Sequence, residues 1–355
     1  MEKVYLYGAG AFGRQMFGML TRRGIEVAGY VDRNAYDGQT LLGVPVFKPS
    51  APCIEYELPL IVSIVMTKEN RESLFRALKQ AGHARIIDGQ SIRASEVPFD
   101  KNSYECGRGH HTERIHAAKK LLCDAHSVEI FERNVAAHMR RDYSDCVESV
   151  NCRQYFPEDV PLTKGYGRFV DCGAYTGDTL RELLNNIGDV DTYIGFEPET
   201  ELFAMLSAVA AKSRRRLKQL FLFPCAVGSD HRMTSITGDY GSGVTADGGG
   251  AAAQMIRLDD ALTAFEPTMI KMDIEGAERD ALCGAKNLIR RAKPDLAVCV
   301  YHYVSDYWEI PLLLAELNPG YSFYMRTHSS CSMETVLYAT EIGGSLCQNR
   351  FVSHL

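Results

Sequence analysis

Three patterns are absent from the sequence. It has 11 cysteines among 355 residues but no Cys-x-x-Cys pair, so neither a zinc finger nor a disulfide framework is indicated. It has no apolar run that approaches the roughly 18 residues of a membrane span, so we predict no membrane span. It has no excess of basic residues, because the formal net charge is −6, and nucleic acid or an anionic membrane is not expected as a partner.

Several of the cysteines lie inside apolar runs, among them Cys172, Cys225 and Cys299. Such cysteines are typical of buried free thiols. Free thiols persist in a reducing compartment, and the first residues lack the long apolar core of a signal peptide. We therefore predict a cytoplasmic protein.

The first 90 residues contain a complete G-x-G-x-x-G pattern formed by Gly8, Gly10 and Gly13. A predicted buried strand precedes it, a predicted helix follows, and a second strand ends at Asp32, nineteen residues after Gly13. This is the spacing of a ribose-binding acid in a dinucleotide fold. We predict a Rossmann-like nucleotide-binding domain over 1–90, similar to the N-terminal domains of several sugar-modifying enzymes. Its ligand would be NAD or a nucleotide-sugar, and a docking or oligomerisation role is an equal alternative.

The rest of the chain divides into two further parts. Residues 91–160 have few strand signals and contain two helical stretches, 112–125 and 128–140, so we predict a helical connector. Residues 161–355 alternate strands and helices, which predicts an α/β fold with a doubly wound, mostly parallel sheet. The last two strands are joined by a short connection, which favours an antiparallel hairpin at one edge. The predicted strands of this domain are 169–171, 193–197, 220–226, 269–273, 296–301, 322–326 and 335–339.

A second glycine turn opens this C-terminal domain. The apolar run that ends at Asp171 leads into Gly173 and Gly177, whose missing Cβ atoms let the backbone pass close to a ligand. The next strand ends at Glu197, where an acid is placed to accept hydrogen bonds from ribose hydroxyls. The turn has no Gly-Lys-Ser/Thr and no pyrophosphate fingerprint. We therefore expect a nucleoside ligand here and favour S-adenosylmethionine over NAD.

Three motifs of this domain resemble the FkbM family of S-adenosylmethionine-dependent methyltransferases, over about residues 150–340. The motifs are Phe169-Val-Asp-Cys-Gly-Ala-Tyr-Thr-Gly-Asp-Thr179, Gly195-Phe-Glu-Pro-Glu199 and Ile270-Lys-Met-Asp-Ile-Glu-Gly-Ala-Glu278. The resemblance implies a class I methyltransferase that usually methylates oxygen, often on sugars or natural-product scaffolds, and a place in polysaccharide biosynthesis. Nitrogen and carbon acceptors are open alternatives.

The resemblance also implies which residues hold the cofactor. Its methionine part and ribose edge would lie against Asp171, Gly173, Tyr175 and Gly177. Glu197 would bind the ribose hydroxyls, and Ala226, at the end of the third strand, would line the adenine.

Three residues are candidates for the chemistry. Asp273 and Glu275 lie where the fourth strand meets its loop, and Asp273 is placed to orient the acceptor hydroxyl or accept its proton. His302 ends the fifth strand and is our candidate general base. Glu278 is interpreted as an acid at a helix N-terminus.

No metal site is predicted. His110 and His111 with Cys106 form one isolated group in a loop, which is weak support for a metal. The sequence leaves open whether Asp273 takes part in a Mg²⁺ site.

Two other functions remain as alternatives. The first is an NAD-dependent oxidoreductase or epimerase of nucleotide-sugars that acts through the N-terminal domain, although no Ser/Tyr-x-x-x-Lys catalytic set is in the right place. The second is a non-catalytic nucleotide-binding protein. In each case the partner is a small molecule or a glycan, and a homo-oligomer is an open alternative.

Overall fold

The computed structural model describes residues 3–66, 68–100, 108–148, 153–237, 243–245 and 251–342. Its contacts divide the chain into two compact units. The first consists of Met1–Val97, Ala137–Glu148 and Ser329–Met333, and the second contains the rest. The division into domains at 1–90, 91–160 and 161–355 stays a prediction.

The first unit is built around a six-stranded sheet. Its strands are β1 (Lys3–Tyr7), β2 (Glu26–Val31), β3 (Thr40–Leu41), β4 (Val44–Phe47), β5 (Leu60–Val62) and β6 (Ile86–Asp88). Its helices are α1 (Ala11–Arg22), α2 (Lys68–Gln80) and α3 (Gly89–Ser95). The strand order is β3-β4-β2-β1-β5-β6, and every pair except β3 with β4 is parallel.

Both faces of this sheet are covered. Val4 and Leu6 of β1 pack into one apolar cluster with helix α1, whose Phe12, Met16 and Leu20 recur at helical spacing. The intervening residues of β1 pack into a second cluster on the other face. Burial on both sides explains why the strands are apolar runs without polar alternation.

The second unit contains the remaining elements of the described residues. Its helices are α4 (Arg108–Lys119), α5 (Ala125–Arg140, whose last residues belong to the first unit), α6 (Asp178–Asn186), α7 (Thr200–Ser213), α8 (Leu258–Ala261), α9 (Glu278–Cys283), α10 (Lys286–Ala292) and α11 (Asp306–Leu317). Its strands are β7 (Arg168–Cys172), β8 (Val190–Phe196), β9 (Leu217–Phe223), β10 (Cys225–Val227), β11 (Arg232–Thr237), β12 (Gly243–Thr245), β13 (Ala251–Ile256), β14 (Met269–Met272), β15 (Asp295–Cys299), β16 (Tyr321–Thr327) and β17 (Thr335–Glu341).

The main sheet of this unit has seven strands in the order β16-β17-β15-β14-β7-β8-β9. The five strands from β15 to β9 are parallel, and β17 is antiparallel to both of its neighbours. The predicted α/β fold with a mostly parallel sheet and an antiparallel edge hairpin is therefore confirmed. Because the parallel strands share one direction, their carboxyl ends meet at one edge, where open α/β sheets bind ligands.

One predicted strand, 220–226, is two strands in the structure. β9 ends at Phe223 and β10 begins at Cys225, because the intervening Pro224 has no N–H to continue the ladder. β10 then joins a separate four-stranded sheet of order β10-β13-β11-β12, which the sequence did not predict. In the part of the chain that the structure describes, no helix is both long and apolar enough to cross a bilayer.

Candidate active site

The second glycine turn lies between β7 and α6, at the carboxyl edge of the main sheet. Gly173 and Gly177 have φ angles of +80° and +79°, which residues with a Cβ rarely adopt. A Cβ on Gly173 would collide with the backbone carbonyl oxygen of Asp273. The glycine is therefore required by the close approach of the turn to the end of β14, and this approach brings the predicted cofactor turn against a predicted catalytic residue.

Glu197 fixes the shape of this turn from the end of β8. One of its carboxylate oxygens accepts a hydrogen bond of 2.9 Å from the backbone N–H of Tyr175, and the other accepts one of 2.9 Å from Glu199. Its side chain is buried, and burial raises the pKa of the carboxyl, although both backbone hydrogen bonds oppose this. Tyr175 has a left-handed φ of +47° and keeps its side chain 45% exposed. Each Glu197 oxygen retains a second lone pair for a ligand hydroxyl.

A cleft opens beside the turn. It is lined by Gly173, Phe196, Pro198, Cys225, Ala226, Val227, Ile274 and Ala277. Two of the predicted cofactor residues, Gly173 and Ala226, therefore line the cleft. A third, Glu197, lies in sequence between the lining residues Phe196 and Pro198. Pro224 separates β9 from β10, whose residues Cys225–Val227 all line the cleft.

Asp171 lies beneath the turn and is fully buried. One carboxylate oxygen is 3.0 Å from the Lys271 ammonium, and the other accepts a hydrogen bond of 2.6 Å from the Tyr193 hydroxyl. Lys271 also donates to the carbonyl oxygen of Gly173 at 2.6 Å. Burial lowers the pKa of Lys271, but the carboxylates of Asp171 and Asp273 outweigh it and raise that pKa, so the lysine stays charged. The structure thus gives Asp171 a supporting position under the turn.

The predicted catalytic residues come together around His302. Its Nε2 lies 3.5 Å from a carboxylate oxygen of Asp273 and 3.5 Å from one of Glu275. Its Nδ1 lies 3.0 Å from an oxygen of Glu278, which is fully buried at the start of α9. The same Glu278 oxygen accepts a 2.8 Å hydrogen bond from the backbone N–H of Ile274. Glu278 therefore contacts the imidazole directly, a role beyond the helix-end position expected from the sequence.

The charged side chains of this group shift one another's pKa values. Burial lowers the pKa of His302, but the carboxylates of Glu278, Glu275 and Asp273 outweigh it and raise the pKa to about 10. Burial favours protonation of Asp273, but Lys271 and His302 outweigh it and hold the pKa of that carboxyl below its usual value. At neutral pH the imidazole is thus positively charged beside ionised Asp273.

Two tyrosines that the sequence analysis missed hold Asp273. The Tyr155 hydroxyl donates to one of its oxygens at 2.8 Å, and the Tyr301 hydroxyl donates to the other at 3.2 Å. Tyr301 directly precedes the predicted base His302, so its position in the sequence was a signal. Tyr155 lies in an irregular stretch with no pattern that could have indicated its contact.

The first glycine turn is also closed by its acid. Asp32 accepts hydrogen bonds of 2.9 Å from the backbone N–H groups of Ala9 and Asn34. A Cβ on Gly13 would collide with the carbonyl oxygen of Gly8, which explains this glycine by close packing of α1 on β1. Gly10 begins α1 with open space around it. These contacts explain the pattern without a ligand, and nucleotide binding here stays a prediction.

Within the described residues, one group of three offers ligand atoms that all lie within 4.8 Å of one another: Asp273, Glu278 and His302. His111 instead packs against the rings of Phe99 and Trp308. Cys106 and the side chain of His110 lie outside what the structure describes.

Comparison with known proteins finds a family match within the second unit. The model of the methyltransferase FkbM domain matches residues 171–323, which confirms the resemblance inferred from the sequence. The fold is similar to that of the methyltransferase FkbM from Methylobacillus flagellatus KT, with a TM-score of 0.65 and 21% identity over 95% of this chain and 89% of that one. The family match does not reach the first 90 residues, whose Rossmann-like character stays a prediction.

Two further solved structures match at lower similarity. Fibrillarin from Aeropyrum pernix, in complex with natively bound S-adenosyl-L-methionine, has a TM-score of 0.30 and 14% identity over 51% of this chain and 70% of its own. The methyltransferase PaMTH1 from Podospora anserina, bound to SAH, has a TM-score of 0.29 and 11% identity over 68% of this chain and 99% of its own. No curated protein sequence matches the chain.

Proposed function

From the methyltransferase FkbM domain at residues 171–323, we propose that this protein is a class I, S-adenosylmethionine-dependent methyltransferase that methylates a hydroxyl of a sugar, nucleotide-sugar or glycan. The observation that carries the proposal is the contact between the cleft and the charged group. Gly173 lines the cleft and closely approaches the backbone of Asp273, while Ile274, the next residue, lines the same cleft. This proximity supports a ligand in the cleft whose reacting end lies beside the carboxylates and the imidazole.

The residues present fit this cofactor. The apolar wall that includes Ala226 and Val227 suits a purine, and Glu197 offers free lone pairs for two ribose hydroxyls. Tyr175 and Gly177 shape the turn that would pass along the methionine part. When bound, the cofactor supplies a methyl group on a positively charged sulfur, which is already a strong electrophile.

The chain's own contribution is position and proton control. Asp273, ionised and fixed by two tyrosine hydroxyls, is suited to accept the hydrogen bond of an acceptor hydroxyl and so orient its oxygen. His302 keeps its own proton at neutral pH, so its predicted role as general base is restricted to the fraction that has lost that proton. Glu275, beside Nε2 of His302, adds to the negative field that holds this proton.

The acceptor is the least constrained part of the proposal. A sugar, nucleotide-sugar or glycan hydroxyl, a place in polysaccharide biosynthesis and a cytoplasmic location are supported by the family resemblance and the composition. Screening of sugar hydroxyls follows once the cofactor is established.

The first test is calorimetric titration of the full chain with S-adenosylhomocysteine. We expect micromolar binding to the wild type, and at least a tenfold loss, about 1.4 kcal/mol, in Glu197→Ala because the ribose hydroxyls lose a charged acceptor. Glu197→Gln removes the charge but keeps the size of the side chain. It therefore tests the loss of the charged acceptor with a smaller risk of a folding defect than Glu197→Ala.

The matched control is Asp32→Ala, which removes the corresponding acid of the first glycine turn. We expect it to bind S-adenosylhomocysteine as the wild type does. A folded wild type that does not bind would overturn the proposal. Loss of binding in Asp32→Ala alone would move the cofactor to the first unit.

A further inference from the structure

The charged group at the carboxyl ends of β14 and β15 is rich in acids and partly buried: the side chain of Glu278 is 0% exposed, that of Asp273 22% and that of Glu275 31%. Asp273, Glu275 and Glu278 surround one imidazole, and the nearby Lys271 is already paired with Asp171. Buried carboxylates are costly unless a positive charge or hydrogen bonds compensate them. The group therefore has a net negative charge that favours a cation among these side chains.

Three buried polar atoms of the group have no hydrogen-bond partner among the described residues. One is the second carboxylate oxygen of Glu278, a residue that is 0% exposed. The other two are the ring nitrogens of His302, whose side chain is 8% exposed. Its Nε2 lies 3.5 Å from Asp273 and from Glu275, which is too long for good hydrogen bonds. Unsatisfied buried polar atoms are rare and indicate an additional water, ion or ligand.

The spacing of the ligand atoms suits a single ion. Asp273, Glu278 and His302 each offer one atom within 4.8 Å of the others, and Nε2 of His302 lies 3.5 Å from a carboxylate oxygen of Asp273. Two neighbouring ligands at about 2.1 Å from an octahedral ion lie about 3 Å apart. An ion placed there would replace the proton that His302 otherwise carries.

We propose that Asp273, Glu278 and His302 bind a hard divalent cation, of the Mg²⁺ or Mn²⁺ class. Two carboxylates with one imidazole form a donor set that such ions accept. Three protein ligands leave positions for water or for an acceptor hydroxyl. Such an ion would lower the pKa of a coordinated hydroxyl, whose proton would pass to solvent water. The oxygen would then bond to the methyl carbon as the carbon–sulfur bond breaks and S-adenosylhomocysteine leaves. This catalytic consequence rests on the proposed function, whereas binding of the ion does not.

The test is titration of chelator-treated full-length protein with Mn²⁺ alone, by calorimetry and electron paramagnetic resonance. We expect one Mn²⁺ per chain and, in pulsed spectra of the wild type, a nitrogen coupling from one directly ligated imidazole. We expect more than about a tenfold loss of affinity in His302→Gln and in Glu278→Gln. The matched control is His231→Gln, which removes an exposed histidine that pairs with Asp260 at 2.8 Å and should bind Mn²⁺ as the wild type does.

The wild-type measurements decide the proposal even if a buried variant fails to fold. A folded wild type that takes up no Mn²⁺, or bound Mn²⁺ without a nitrogen coupling, would overturn the site. Equal affinity in folded His302→Gln would overturn it as well. A separate titration with S-adenosylhomocysteine distinguishes the two proposals. A chain that binds S-adenosylhomocysteine but takes up no Mn²⁺ overturns only the metal site. A chain that takes up Mn²⁺ but does not bind S-adenosylhomocysteine overturns only the methyltransferase proposal.

Discussion

The two glycine turns of this chain use the same local solution. In the first unit, the carboxylate of Asp32 accepts the backbone N–H of Ala9 within the turn and that of Asn34, two residues further along. In the second unit, Glu197 accepts the N–H of Tyr175 within the turn and that of Glu199, again two residues further along. In both, an acid at the end of the second strand locks the turn that follows the first strand.

The turns differ in what the neighbouring strand places against them. Beside the first turn, Ser63 after β5 donates its hydroxyl to the carbonyl oxygens of Tyr7 and Gly8, and Ile64 packs on Gly8. Beside the second, β14 is followed by Asp273, and His302 lies close to it. A glycine turn with an acid is therefore a way to join a strand to a helix. The candidate chemistry depends on the side chains that follow the neighbouring strands of the sheet.

The largest expected difference between the units concerns one cross-strand ion pair in each. Lys271 of β14 is paired in register with Asp171 of β7, and Lys3 of β1 with Glu26 of β2. The first pair is 3.0 Å apart and buried, whereas the second is 3.8 Å apart with 40% and 56% of its side chains exposed. Lys271→Met should lower the free energy of unfolding by about 3–5 kcal/mol, because Asp171 is left buried without its counter-ion.

Chemical denaturation followed by circular dichroism measures this loss. The matched variant Lys3→Met should cost less than about 1 kcal/mol, because water screens an exposed pair. Equal losses in the two variants would contradict the conclusion that the buried Lys271–Asp171 ion pair stabilises the second turn.

The next largest effect should come from the glycines themselves. Gly173→Ala forces a Cβ into the carbonyl oxygen of Asp273 at a φ of +80°, and we expect a loss of about 3 kcal/mol in the free energy of unfolding. Gly10→Ala should change stability by less than about 0.5 kcal/mol, because no atom lies within 4 Å of its added Cβ and its φ is −75°. Thermal or denaturant melts of both variants check this contrast. A tolerated Gly173→Ala would show that the turn can move away from β14.

The sequence predicted the elements that carry a strong periodic or glycine signal. The turn at Gly173, the acid at Glu197 and the antiparallel edge hairpin follow from apolar runs, turn residues and short connections. Asp273 and His302 could be placed at one sheet edge because parallel strands end together. Their mutual distances depend on side-chain packing, which no residue pattern encodes.

Other features could not be predicted because they depend on contacts distant in sequence. Tyr155 bonds Asp273 across 118 positions, from a stretch without periodicity. The four-stranded sheet that begins at β10 was missed, although Pro224 was a visible strand breaker. The contact of Glu278 with His302 was missed because an acid at a helix start has a sufficient local explanation in the helix dipole.

The two units also differ in how they bury a histidine, and this supports the smallest of the expected effects. His302 lies among carboxylates that raise its pKa, whereas the ring nitrogens of His138 of the first unit lie 3.1 and 2.9 Å from the hydroxyls of Tyr143 and Ser332. Burial lowers the pKa of His138 to about 4. The same residue type is therefore charged in one unit and neutral in the other at neutral pH.

The sign of the pH effect of His138 follows from this lowered value. Above the unfolded-state pKa of about 6.5 neither state binds the proton, and below it the unfolded state binds the proton first, so stability falls as the pH falls from about 6.5 towards 4. At pH 5 the loss attributable to His138 is about 2 kcal/mol. Urea denaturation at pH 7 and pH 5 should show this loss in the wild type and in the exposed-histidine variant His231→Gln, but not in His138→Gln. If His138→Gln lost as much stability between pH 7 and pH 5 as the wild type, a group other than His138 would cause the loss. The proposed contrast in charge between His138 and His302 would then be wrong.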